Sequence, residues 1–220
     1  MRILSILIMC LTTTATWGQM YSEPNTKWPY VYENFTEGTI YSENGRKSTS
    51  ELNIHLQGNV LHYVNQGRIY ESKERGVIRV EIGSDAYIYS NNRLVRILAA
   101  EGTSLLVELR RGDFDAMRSG SGAYGASLNS SASRDLSSLS LGGLDNPDIG
   151  RLQLERNDGA SIPMVTDYFF IVGGIEAPAT KKGVESLIGK DRAAEWKQFL
   201  KEHKIKWKKE DSLRQVLKFL

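Results

Sequence analysis

The sequence predicts an α+β fold: an N-terminal antiparallel β-meander, forming a curved sheet or partly open barrel, followed by a C-terminal cluster of short helices. Three observations carry this. Short alternating apolar runs recur from Gly38 to Leu109, with turn residues about every eight to twelve positions. From Thr180 onward the apolar period becomes that of a helix. Between them lies Asp115–Gly143, with nine Ser and five Gly. Such a segment gains little from burial and loses much entropy on ordering. The expected organisation is a signal peptide over 1–18, the meander over 19–114, a flexible Ser/Gly-rich loop over 115–147, additional strands joining the sheet over 148–179, and a basic helical tail over 180–220.

The N-terminus has the three parts of an export signal. Arg2 supplies a positive charge, Ile3–Leu11 is apolar apart from Ser5, and Thr16 and Gly18 are small residues at −3 and −1 of a cut before Gln19. The apolar run is too short to span a bilayer as a helix, which needs about 20 residues. Cys10 is the only cysteine and lies within this segment. Met9 before it is larger than lipid-modifying signals usually allow. The mature chain then has no cysteine, which excludes disulfides, Cys-ligated zinc and a thiol nucleophile. Exported eukaryotic domains of this size usually carry disulfides, so a bacterial envelope is the expected setting: periplasm, cell surface or medium.

Gln19–Pro29 reads as a loose leader, because Pro24 and Pro29 oppose regular structure. Trp28, Tyr30 and Tyr32 then alternate with Pro29 and Val31, which predicts an aromatic row on one strand face. The meander follows. Thr39–Tyr41 leads into Asn44-Gly45, a hairpin signal because a type I′ turn needs φ > 0 at both central residues. Strands are expected at Leu52–Leu56, Val60–Val64, Arg68–Tyr70, Val77–Ile82, Ala86–Ser90, Leu94–Leu98 and Ser104–Leu109. A sheet of this kind must curl, close or be covered to bury one face. Beyond the Ser/Gly segment, Arg151–Glu155 alternates like a strand, and Tyr168–Val172 and Ile175–Ala177 flank a Gly173-Gly174 turn.

The tail predicts three helices. Thr180 caps the first, with Val184, Leu187 and Ile188 inward and Gly189 ending it. Asp191 opens the second, where Ala193, Trp196, Phe199 and Leu200 share a face. Asp211 or Ser212 starts the third, with Leu213, Val216, Leu217 and Leu220 on one side. Charge is uneven along the mature chain. Residues 181–220 hold twelve Lys and Arg against six Asp and Glu, while 19–180 hold fifteen against twenty.

Few residues suggest chemistry. Lys204-Ile205-Lys206-Trp207-Lys208-Lys209 is the sharpest basic cluster, and Lys206, Trp207 and Lys208 are candidate binding residues for an anionic partner. Export argues against nucleic acid. Trp28, Tyr30 and Tyr32 are the other candidates, as a platform for a sugar ring. His55 and His62 fall on adjacent strands and face each other across a hairpin, with Glu51 or Glu71 as the nearest carboxylates. No local metal spacing accompanies them, so neither metal nor other cofactor is expected. No Gly-x-Ser-x-Gly elbow and no phosphate loop occurs. Arg111-Gly112-Asp113 is ordinary turn chemistry.

Two stretches carry a resemblance. Tyr32-Glu33-Asn34-Phe35-Thr36-Glu37-Gly38-Thr39-Ile40-Tyr41 follows the leader, and Ala179-Thr180-Lys181-Lys182-Gly183 and Phe199–Lys208 close the chain. In this order they resemble a group of uncharacterised secreted proteins of Bacteroidota-type bacteria. The resemblance implies an envelope location and brings no activity, ligand or catalytic residue. The expectation is an exported, non-catalytic interaction or binding module whose partner is a protein or polysaccharide of the envelope, without a transmembrane segment after signal cleavage. The alternative is a glycan-directed enzyme or carbohydrate-binding protein using the Trp28/Tyr30/Tyr32 row beside Glu33 and Glu37. A hydrolase would need two carboxyls about 5–10 Å apart next to exposed aromatics.

Overall fold

Among the described residues, alternation and turn chemistry produce one antiparallel sheet of eleven strands. A computed structural model describes residues 25–72, 76–119, 147–156 and 161–220. The strands are β1 (Asn25–Thr26), β2 (Thr36–Ser42), β3 (Lys47–His55), β4 (Val60–Asn65), β5 (Arg68–Glu71), β6 (Val77–Ile82), β7 (Asp85–Ser90), β8 (Arg93–Glu101), β9 (Ser104–Gly112), β10 (Ile162–Val172) and β11 (Ile175–Pro178). Their spatial order is β1-β10-β9-β8-β7-β6-β2-β3-β4-β5, with β11 also paired to β10. The expected signal peptide and most of the Ser/Gly segment lie outside the described residues.

The sheet curls into a half-barrel. The tip of the β3–β4 hairpin reaches strands that are not its neighbours. Leu94 donates its backbone N–H to the Asn59 carbonyl at 2.9 Å, and Gly112 donates to Leu56 at 3.2 Å. The Asn59 side-chain amide donates to the Arg110 carbonyl at 2.5 Å. Curling buries the inner face, as a meander with one apolar face requires. Leu52, Ile54, Leu56, Leu61, Val80, Ile82, Tyr87 and Leu94 pack there. Val95, Val107, Leu109 and Ile171 pack on the opposite, outer face of β8–β10.

Among the described residues, three two-residue turns have both central residues at positive φ: Gln66-Gly67 (50° and 74°), Asn91-Asn92 (50° and 62°) and Gly173-Gly174 (58° and 83°). Asn44-Gly45 is not among them. There only Gly45 is left-handed (76°), and the connection runs over Glu43–Arg46, with the Asn44 side chain accepting from the Arg46 N–H. The β5 edge is covered by returning chain: Ile69 donates to the Pro147 carbonyl and Ile149 to Gly67. The side chain of Asp148 then caps α2 (Ile149–Glu155) by accepting from the Arg151 N–H. The Arg151–Glu155 alternation, expected to be a strand, is therefore helical. Ile149 and Leu152, three apart, pack beside Trp28 and Ile69, while Leu154 is left exposed. Asp115–Ser119, expected within the loop, instead belong to α1 (Phe114–Ser119), whose first turn is held by the Asp113 carboxylate accepting from Ala116.

The tail forms α3 (Lys181–Leu187), α4 (Ala193–Glu202) and α5 (Glu210–Phe219), with a 3₁₀ turn at Lys190–Arg192. Trp196, Leu213, Val216 and Leu217 pack against Leu106 of β9 and Phe170 of β10. Trp196 and the other large side chains each contribute roughly 1.5–3 kcal/mol by leaving water. No described helix is long and apolar enough to cross a membrane.

One glycine in this tail is required by close approach. Thr180 caps α3 by accepting from the Gly183 N–H at 3.1 Å, which folds the turn back on Pro178. A Cβ at Gly183 would meet the Pro178 carbonyl oxygen and carbon, both backbone. Gly183→Ala should therefore destabilise by about 2–3 kcal/mol, although alanine is ordinarily the better helix former. Thermal unfolding would show a midpoint lowered by roughly 5–10 °C. Lys182→Ala, one residue away and exposed, should stay within about 0.5 kcal/mol. Equal effects at the two positions would rule out the steric account.

Candidate functional site

The aromatic row does not form a platform. Trp28, Tyr30 and Tyr32 are all buried, at 1%, 1% and 2% exposure. Trp28 and Tyr30 pack with Phe35 and Ile69, whereas Tyr32 enters the main inner core. The physical reason is that residues 28–32 run beside the end of β3 instead of forming an exposed strand. Val31 donates to the Ile54 carbonyl and Leu56 to that of Pro29. A sugar needs an open ring face, and these faces meet protein. Glu33 is ion-paired to Arg156 at 2.9 Å. The glycan-stacking reading of these residues is thereby corrected.

His55 and His62 do come together. Their rings stack at 5.0 Å between centroids. Register sets this, because Asn53 opposes His62 and His55 opposes Val60, leaving the two histidines diagonal. The Tyr30 hydroxyl and His62 Nδ1 are 3.0 Å apart. His55 Nδ1 is 3.2 Å from the Gln57 carbonyl, so it must donate. Neither Nε2 atom has a partner among the described residues. Burial lowers both, His55 to about 4 against the opposing Gln57 hydrogen bond, and His62 to about 3 with a further lowering from the neighbouring His55. No cluster of three potential metal ligands occurs among the described residues.

A polar network crosses the inner face. Tyr87, Arg96, Glu108 and Tyr168 oppose one another on four consecutive strands. Arg96 contacts Glu108 at 2.7 Å and Asp85 at 3.0 Å. The Tyr32 hydroxyl donates to Asp85 at 2.7 Å and lies 2.6 Å from that of Tyr87. Burial first, then the neighbouring Tyr87 and Asp85, raises Tyr32 far above an ordinary tyrosine. Burial alone would lower Arg96, but the two carboxylates hold it above its usual value. The gap beside this network, about 10 Å³, has room for one water and no larger ligand.

The roomier feature is an open cleft of about 330 Å³ on the outer face. Its floor is Leu109, Phe114 and Phe169, and one wall is the β3–β4 turn, Gln57–Asn59. Two guanidiniums enter it, from Arg93 of β8 and Arg111 of β9. Arg93 lies over the Phe169 ring at 4.8 Å and pairs with Glu176 at 2.6 Å. Ser90 shares the same carboxylate. The Arg93 Nε has no acceptor among the described residues. Arg111 contacts Asp167 at 3.2 Å and keeps 43% of its side chain exposed. The cleft thus combines an apolar floor, two guanidiniums each paired to a carboxylate, Asp167 itself and the Gln57 amide. That chemistry suits a small ligand with an acidic group.

Sequence reasoning missed this cleft because its parts come from five separate segments with no local spacing. Lys206, Trp207 and Lys208 lie elsewhere, on the link between α4 and α5. Lys206 and Lys208 are exposed. Trp207 is half-buried against the helical core, 6.4 Å from the Trp196 ring. Its ring is packing, so of the three only the lysines face outward. Comparison with family models, curated proteins and solved structures gave no match.

Proposed function

We propose that this chain is an exported, non-catalytic binding module of a bacterial envelope, and that it holds an acidic group of its ligand in the Arg93/Arg111 cleft. The observation that carries this reading is the pairing of two guanidiniums over an apolar floor in an open pocket. Arg111 is the gripping fork, since its partner Asp167 is 41% exposed and gives it up at little cost. Arg93 is fixed by Glu176 and Phe169 and supplies a positioned charge. Export rests on the Arg2, Ile3–Leu11 and Thr16-Trp17-Gly18 pattern.

The test is a titration of isotope-labelled protein with sugar acids, sugar phosphates and acidic dipeptides, followed by amide NMR. Saturable shifts are expected at Gly58 and Gly112, which line the cleft, and should vanish in Arg111→Ala. The ion pair lost in that variant is surface-exposed, so stability should fall by no more than about 1 kcal/mol. If no acidic ligand moves those amides, the cleft is not the binding site.

A further inference from the structure

We infer that the basic face of the α4–α5 link docks this protein on an anionic lipid bilayer surface, independently of the cleft. His203–Lys209 joins the two helices. Along it Lys204, Lys206 and Lys208 are exposed, while Ile205 and Trp207 turn in against the helical core. A turn closed by the Lys209 N–H on the Lys206 carbonyl adds Lys209 to the same cluster. Lys197 and Lys201, one helical turn apart on exposed positions of α4, lead up to it.

These lysines are not neutralised. Among the described residues none of the six is in an ion pair, whereas three nearby acids are engaged, Glu195 with Arg192, Glu210 with Arg214 and Glu202 with Gln198, and Asp211 is the exposed acid that offsets one of these charges. The charge is also polarised. Residues 181–220 carry a net +6 and 19–180 a net −5. A planar anionic surface attracts the helical end and repels the rest, which orients the molecule. A flexible polyanion would have no such preference. No aromatic or large apolar side chain of the link is exposed to insert into a membrane. Attachment is therefore superficial, reversible and salt-sensitive.

The measurement is co-sedimentation of the mature protein with vesicles of phosphatidylcholine alone or with 30% phosphatidylglycerol, about 50 or 500 mM NaCl spanning the screening range. Binding is expected only to the anionic vesicles and only at low salt. Each lysine near the surface is worth about five-fold in affinity. The triple variant Lys204→Gln/Lys206→Gln/Lys208→Gln should thus bind on the order of a hundred-fold more weakly. The triple Lys→Arg variant should bind like the parent. Circular dichroism should show both variants folded, because no partner of these lysines is lost. Undiminished binding by the Gln variant, or equal binding to neutral vesicles, would overturn the proposal. So would retention on polygalacturonate without binding to vesicles, which would assign the face to an acidic polysaccharide. Because Arg111→Ala leaves this face intact, it should bind vesicles normally, so failure of the cleft reading and failure of this one are separable.

Discussion

Replacing Arg96 by Met is expected to destabilise the fold by about 3–5 kcal/mol, the cost of leaving a buried carboxylate without its partner. Glu108 is the residue that suffers. Its side chain is 8% exposed, and Arg96 meets its Oε2 through both Nε and Nη2. Asp85 is second. It loses the 3.0 Å contact to Arg96 but keeps the Tyr32 hydroxyl and a side-chain exposure of 21%. Two unmatched carboxylates would then lie against Tyr32 and Tyr87 on the inner face. The double variant Arg96→Met/Glu108→Leu should recover much of the loss, because an ion pair replaced by packed apolar groups is often neutral. Urea unfolding of both single variants and the double gives the coupling energy. A loss below about 1 kcal/mol for Arg96→Met would mean water already screens the pair. Raising the pH attacks the same network from the other side. Burial raises Tyr32 and Tyr87, so the stability they contribute is full below about 10 and is lost above it, as their unfolded forms ionise.

Local chemistry in the sequence foretold most of the sheet and the tail. Turn residues did this where they need left-handed backbone, as at Gln66-Gly67 and Gly173-Gly174. Thr180 did it by offering a hydroxyl to the Gly183 N–H, the cap that opens α3. The apolar faces of α4 and α5 appear in the helical core as their period implies, except for Ala193, which is exposed at the start of α4. The failures have a common cause. Leu152 and Leu154 alternate, but the decision was made by Ile149 and Leu152 meeting Trp28 and Ile69 from distant segments. Trp28, Tyr30 and Tyr32 alternate too, yet they enter two different clusters because the chain there runs beside β3. Periodicity says which residues share a side; it does not say whether that side faces water.

The sites divide along the same line. The lysine face was legible because its residues are consecutive and period 2 separates Lys204, Lys206 and Lys208 from Ile205 and Trp207. The cleft was not, because β8, β9, β10, the β3–β4 turn and Phe114 each supply part of it. Such a constellation exists only after the meander has curled. The histidine pair lies between these cases. Adjacent strands and a short hairpin placed His55 and His62 near each other, but their stacking depends on the diagonal register.

That pair should make stability fall steeply with mild acid. Burial is the largest cause of both lowered values, about 4 for His55 and about 3 for His62. In the unfolded chain both histidines protonate near 6.5. The folded state thus binds fewer protons than the unfolded state between about pH 6.5 and 4, and stability decreases as pH falls through that window. With two such groups the slope approaches about 2.7 kcal/mol per pH unit. From pH 7 to 5 the loss sums to about 3–4 kcal/mol, which lowers the melting temperature on the order of 10 °C. His55→Phe keeps an aromatic ring beside Tyr30 and His62 and gives up the Gln57 contact. It should roughly halve the slope, because one of the two proton-binding differences disappears. Melting curves at half-unit steps from pH 7.5 to 4.5 would read this directly, the range being chosen to bracket the histidine's ordinary value near 6.5. A flat profile for the parent would show that water reaches the orphaned Nε2 atoms and that the imidazoles protonate without unfolding. An unchanged slope in His55→Phe would place the acid sensitivity outside this cluster.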